Sequence, residues 1–152
     1  MYLILSSILF FEGGSMSNIV EEFGQNAGKV WQALSEKGPL SETKLINTTF
    51  LNEHQLHLAV GWLARENKIR QNGTVYKLGD TNLVDKIGAD AGKIWTVISS
   101  KGEIDVSSLA KLAKVNVKDV YTAVGWLARE NKVDAKTVMK QKSEQLKVCI
   151  KQ

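Results

Sequence analysis

The sequence predicts a mainly α chain with small β-hairpins, an α+β class, built as two tandem copies of one unit. Three observations carry this. The segment Ala59-Val60-Gly61-Trp62-Leu63-Ala64-Arg65-Glu66-Asn67-Lys68 recurs unchanged from Ala123 to Lys132, an offset of 64 residues. From Asn18/Asn82 onward the same offset needs no gap, and it pairs Ala27-Gly28-Lys29 with Ala91-Gly92-Lys93, Trp31 with Trp95, Lys37-Gly38 with Lys101-Gly102, Leu45 with Leu109 and Asn52 with Asn116. Each copy shows helical periodicity first and a strand–turn–strand pattern last. The expected division is 17–80 and 81–152, preceded by a segment 1–16.

Helix one is expected from Asn18 to Lys37. Ile19, Phe23, Ala27, Val30, Trp31 and Leu34 recur at the spacing of an amphipathic helix. Ser17 suits its N-cap, and Gly38-Pro39 its end. In the second copy Leu83, Ile87, Ala91, Ile94, Trp95 and Ile98 repeat the stripe, and Gly102 the stop. A short helix two follows from about Glu42 to Thr49, capped by Ser41, with Asp105 in the matching place. A tight turn comes next at Leu51 and Val115. Helix three opens at Asn52 or Asn116, with Gln55 placed to complete a capping box. Its buried stripe is Leu56, Val60 and Leu63, or Val120, Val124 and Leu127, and Asn67 and Asn131 suit a left-handed stop. The first hairpin turns at Asn72-Gly73, a type I′ signal. The second is longer, with strands near Thr137–Lys140 and Leu146–Ile150 around Lys142-Ser143-Glu144-Gln145.

Helix, helix, tight turn, helix, hairpin is the order of a winged helix-turn-helix, so two such domains stand in tandem. The motifs Ala-Gly-Lys-x-Trp and Gly-Trp-Leu-Ala-Arg-Glu-x-Lys, read at Ala27–Trp31 and Gly61–Lys68 and again in the second copy, resemble a small prokaryotic winged helix-turn-helix family of uncharacterised function. Its members are typically single domains of this unit's length. The resemblance covers nearly the whole chain from Ser17. It implies the fold and an association of two domains, and it supplies no catalytic residue and no ligand.

The bulk chemistry fits a soluble binding protein of the cytoplasm. One cysteine, Cys149, leaves no internal disulfide and no cysteine-based zinc site. It reads as a small apolar residue on a strand. Residues 1–81 hold seven Lys/Arg against eight Asp/Glu, whereas residues 82–152 hold thirteen against eight. An anionic partner should therefore prefer the C-terminal end. The apolar run Tyr2–Phe11 is too short to span a bilayer, which takes roughly 20 residues, and lacks the flanks of a signal peptide. Met16 is the expected natural start, with the preceding residues a misassigned leader, although a weak membrane or partner anchor remains the alternative. No phosphate loop, serine or cysteine nucleophile motif, or cofactor signature is present, and no enzyme is expected. His54 and His57, three apart on helix three, lack further ligands, so no metal site is expected.

In DNA-binding relatives of this fold helix three enters the major groove and the wing touches the backbone. The candidate nucleic-acid contacts are Gln55, Arg65, Lys118 and Arg129 on helix three, and Lys136, Lys140, Lys142 and Lys147 on the second wing. Leu58, Gly61, Trp62 and Asp119 make helix three a mediocre reading surface. The lysines have a second reading, as a solvated edge that blocks strand pairing. Gly24 and Gly28, repeated as Gly88 and Gly92, lie inside helix one, where each glycine costs about 1 kcal/mol relative to alanine. With Gly61, Trp62, Gly125 and Trp126 they are the candidate interface between the repeats or with a partner. The alternative is that they admit tryptophan rings within each unit. The expected function is DNA binding, as a transcriptional regulator or chromosome-associated factor. A non-enzymatic protein–protein interaction module in a larger assembly is the alternative. Intact-mass measurement of the native protein should give a chain beginning at Met16; a mass that includes residues 1–15 would contradict the misassigned start.

Overall fold

The computed structural model describes residues 18–151; the leader and the Ser17 cap lie outside them. The first unit runs α1 (Asn18–Lys37), β1 (Leu40–Ser41), α2 (Glu42–Thr49), α3 (Glu53–Arg65), β2 (Ile69–Asn72) and β3 (Val75–Leu78). The second repeats the order as α4 (Val84–Lys101), β4 (Ile104–Asp105), α5 (Val106–Ala113), α6 (Val117–Arg129), β5 (Val133–Lys140) and β6 (Ser143–Ile150). Each unit is thus three helices and a three-stranded antiparallel sheet, ordered β1-β3-β2 and β4-β6-β5. The short first strands are additions to the sequence reading. Leu40 pairs with Tyr76, and Ile104 with Val148, which fixes the wing to the body of its unit.

Local chemistry sets the element ends. The Ser41 and Asp105 side chains accept the backbone N–H groups of Lys44 and Ser108. Asn52 and Gln55 form the full capping box at the start of α3, and Asn116 accepts from Asp119 N–H at the start of α6. Asn67 and Asn131 take left-handed φ values of 61° and 63° after α3 and α6. The residues that end α2 and α5 were not legible as such: Phe50 and Lys114 adopt the left-handed conformation, at φ 62° and 59°.

Both hairpin turns differ from expectation. In the first wing Asn72 pairs with Val75, so the loop is Gly73-Thr74, and only Gly73 has positive φ. That is the pattern of a type II′ turn, shifted one residue from the expected Asn-Gly turn. In the second wing Lys140 pairs with Ser143, leaving Gln141-Lys142 as the loop, both with positive φ. Its strands reach eight residues each. The turn therefore sits earlier than the expected Lys142–Gln145 segment.

The two units interlock about a pseudo-twofold axis. Its centre is the crossing of α3 and α6. A Cβ on Gly61 would run into the Thr122 carbonyl and come 2.9 Å from Trp126 N, and one on Gly125 would run into the Leu58 carbonyl. Leu58 and Thr122 are themselves equivalent positions, so each helix presents a glycine to the other's backbone. The cores are exchanged in the same symmetric way. Phe23 of α1 and Leu58 of α3 are buried in the second unit's cluster, and Ile87 of α4, the equivalent of Phe23, is buried in the first unit's. Around the crossing, Arg65 donates to Glu130 at 2.9 Å and Arg129 to Glu66 at 2.8 Å. The same arginines lie over the partner indoles, Arg65 at 5.6 Å from Trp126 and Arg129 at 5.9 Å from Trp62.

The glycines of α1 and α4 have other surroundings. Gly24 lies against the Trp62 ring of its own unit, with 2.9 Å from a built Cβ to the indole, and Gly88 lies 4.0 Å from Trp126 in the same way. Nothing stands within 4 Å of a Cβ on Gly28 or Gly92. The expectation that these four glycines join the units is therefore corrected: two of them seat their own tryptophans and two face open space.

Gly61→Leu should cost about 3 kcal/mol or more, because backbone rather than a flexible side chain blocks it, whereas Gly28→Ala should gain about 0.5–1 kcal/mol from helix propensity. Urea unfolding of the full chain checks both, and equal effects would contradict the crossing. Phe50 is 90% exposed and sits where glycine is favoured. Phe50→Gly should raise stability by about 1 kcal/mol, read as a higher urea midpoint at unchanged slope.

Candidate nucleic-acid interface

Each of the four helix-three candidates has a partner within the chain. Gln55 accepts the Asn52 backbone N–H at 2.9 Å. Lys118 Nζ stands 3.7 Å from a Glu42 carboxylate oxygen of the other unit. Arg65 and Arg129 hold the reciprocal ion pairs just described. The middle of the face that would enter a groove, Leu58, Gly61, Thr122 and Gly125, is buried at the crossing. Trp62 and Trp126 are half-buried and covered by arginine. The residues that sequence reasoning missed here are Glu66 and Glu130, which hold the arginines, and Phe23 and Ile87, which cross between units. A signal for the acids was present: an exposed Arg-Glu pair kept identical in both copies is what a symmetric ion pair requires.

The second wing is the basic surface that stays open. Lys136 on β5 lies directly opposite Lys147 on β6, and Lys147 in turn faces Asp105 on β4. Like charges directly opposite one another destabilise a sheet. Glu103 relieves Lys136 at 3.0 Å, and Asp134 lies 3.6 Å from Lys151. Among the described residues Lys140, Lys142 and Lys147 have no ion pair within 4.0 Å. Burial pushes the Asp105 carboxyl up, but Ser108 N–H and O–H donation and the charge of Lys140 outweigh it, so the group sits below the usual carboxylate range. Lysines on one face of a ribbon with a free tip suit contact with a row of phosphates.

Other polar groups cluster near the junction. His54 stacks on Tyr121 with ring centres 4.1 Å apart, so it does not converge with His57. Instead His57, 1% exposed, places Nε2 at 3.3 Å from Glu42, and ligating atoms of Glu42, Glu53 and His57 lie within 4.8 Å of one another. Glu42 and Glu53 are the first residues of α2 and α3, where the helix dipole favours an acid. The ammonium of Lys118 already balances Glu42. A small cavity of about 120 Å³ between α1, the start of α3 and the second wing is bordered by Glu22 and Glu144, an acidic rim unsuited to phosphate. Three groups with nucleophilic atoms are held in their neutral forms. Burial, with Glu42 and Asp119 nearby, pushes the Tyr76 hydroxyl up to about 12; burial raises Tyr121; and burial followed by Asp134 and Glu103 raises the Cys149 thiol. No helix among the described residues is long and apolar enough to cross a membrane.

Comparison with known proteins agrees with this architecture. No curated protein and no solved structure matches the chain. A family model for a winged helix-turn-helix domain (DUF2582) matches twice, over residues 17–78 and 82–150. Six helices and two three-stranded sheets among the described residues, divided between two copies of one unit, are what that double match requires, and the chain belongs to the DUF2582 winged helix-turn-helix family, in a tandem-duplicated form.

Proposed function

We propose that this is a non-catalytic DNA-binding protein of the cytoplasm that holds duplex DNA by its phosphate backbone through the second wing, with helix three contributing no base reading. The observation that carries the proposal is the contrast between the two candidate surfaces. Arg65, Arg129, Gln55 and Lys118 are occupied within the chain, while Lys140, Lys142 and Lys147 project from an eight-residue β-ribbon without ion-pair partners among the described residues. A contact of this kind gives affinity and orientation without sequence information. It suits a chromosome-associated factor better than an operator-reading regulator. The charge asymmetry supports one binding edge per chain, since the first wing has only Arg70 and Lys77 on its strands. Arg70 is turned to the Asp80 carbonyl at 3.1 Å.

The test is a fluorescence-anisotropy titration of a short labelled duplex at several salt concentrations. Three wing contacts predict a slope of log affinity against log salt of about −3. The double variant Lys140→Ala/Lys142→Ala should flatten it by about 2. Duplexes of shuffled sequence should bind within about threefold of one another, because no side chain reads a base edge; a single bidentate base pairing would already discriminate by about 1–3 kcal/mol. Absence of binding at low salt, or strong discrimination between sequences, would contradict the proposal.

A further inference from the structure

Three side chains of the first unit converge where α2 and α3 begin. Glu42 is the first residue of α2 and Glu53 the first of α3. His57 stands four residues after Glu53, so the two share a face of α3, at the spacing by which one helix offers two ligands to a metal ion. One ligating atom from each of Glu42, Glu53 and His57 lies within 4.8 Å of the other two. His54, the partner considered for His57 in the sequence, is turned away to Tyr121.

His57 is the unusual member. Its side chain is 1% exposed, and its Nδ1 is buried without a hydrogen-bond partner among the described residues. Nε2 points at Glu42, but its 3.3 Å from Oε1 exceeds the about 2.7–2.9 Å of a charge-assisted hydrogen bond. It matches the about 3.3–3.4 Å between two ligands of a tetrahedral zinc ion, each about 2.0–2.1 Å from the metal. Nδ1 has no partner in either tautomer, so a metal at Nε2 forfeits no hydrogen bond there.

The charges admit a cation. Glu53 has no ion pair within 4.0 Å among the described residues, and Glu42 meets both His57 and Lys118 through Oε1 alone. The Lys118 ammonium stands 3.7 Å away on a half-exposed side chain that can swing to solvent. Two carboxylates against one ammonium leave the cluster net negative. The second unit has Val106, Val117 and Tyr121 at the same three places. The shared fold therefore demands neither the acids nor the imidazole.

We propose that Glu42, Glu53 and His57 Nε2 bind one zinc ion, with water in the fourth position. An imidazole ligand suits zinc, whereas magnesium and calcium prefer oxygen alone. The ion pins α2 to the start of α3 in the first helix-turn-helix. No wing lysine is among its ligands, and the site is independent of DNA binding.

Isothermal titration calorimetry of the chelator-treated full chain with zinc chloride is the direct test. One ion per chain should bind, and magnesium chloride should not displace it. Glu53 is exposed, so Glu53→Gln leaves the core in place; it should weaken binding by about tenfold or more, since even a group that only orients a ligand is worth about that much. Lys118→Met should tighten binding by removing the competing ammonium. In the chain labelled with ¹⁵N-histidine, zinc should shift the His57 Nε2 signal and spare His54. No stoichiometric binding, equal affinity in Glu53→Gln, unchanged or weaker binding in Lys118→Met, or a shift at His54 in place of His57 would overturn the inference.

Discussion

The contact on which the molecule depends is the crossing of α3 and α6, where Gly61 and Gly125 each meet the other helix's backbone. A side chain at either position would force the helices apart, and everything around them is arranged to that separation. Phe23 and Ile87 reach across because the units stand this close. Arg65 and Arg129 bridge to Glu130 and Glu66 for the same reason. These ion pairs are partly exposed, and each contributes up to about 1 kcal/mol. The exchanged apolar side chains and the backbone approach supply the rest. Two units of this size would have small separate cores, and exchange enlarges both.

The crossing also determines what the protein can present. In this fold helix three is the element that enters a groove, and here its outer face is the interface between the repeats. The arginines that suggested base or phosphate contact balance acids of the opposite unit. The longer second wing stays open. The two copies differ at their wings: the second carries the long lysine ribbon and the first the short Gly73 turn.

Most of the fold was legible because it is local. Apolar spacing located all six helices, and Ser41, Asn52, Asp105 and Asn116 marked the starts of four of them by a mechanism visible in the sequence. The turns were less legible, since Gln141, Lys142 and Phe50 take left-handed conformations that their residue types disfavour. Asn72-Gly73 misled by one residue because Asn72 is the last paired residue of its strand, opposite Val75, and Gly73-Thr74 make the turn. The interface was half legible. Gly61 and Gly125 stood out as small residues beside tryptophan, but so did Gly24, Gly28, Gly88 and Gly92, and only the tertiary arrangement separates a glycine facing a carbonyl from one facing an indole or open space. Exposed Arg, Lys and Glu are equally available to solvent, to a ligand or to one another, so the engagement of Arg65 and Arg129 became visible only once the units were placed side by side.

The most direct test of this architecture is a set of nuclear Overhauser contacts in the full chain. The geometry requires cross-peaks from the Gly61 α-protons to the Trp126 amide and from the Gly125 α-protons to the Leu58 α-proton, whose carbon lies 3.1 Å from the Gly125 Cβ position. Observation of both sets would establish that the two third helices meet backbone to backbone. Spectra in which Gly61 and Gly125 show contacts only within their own units would contradict the account, and would return the outer face of helix three to solvent.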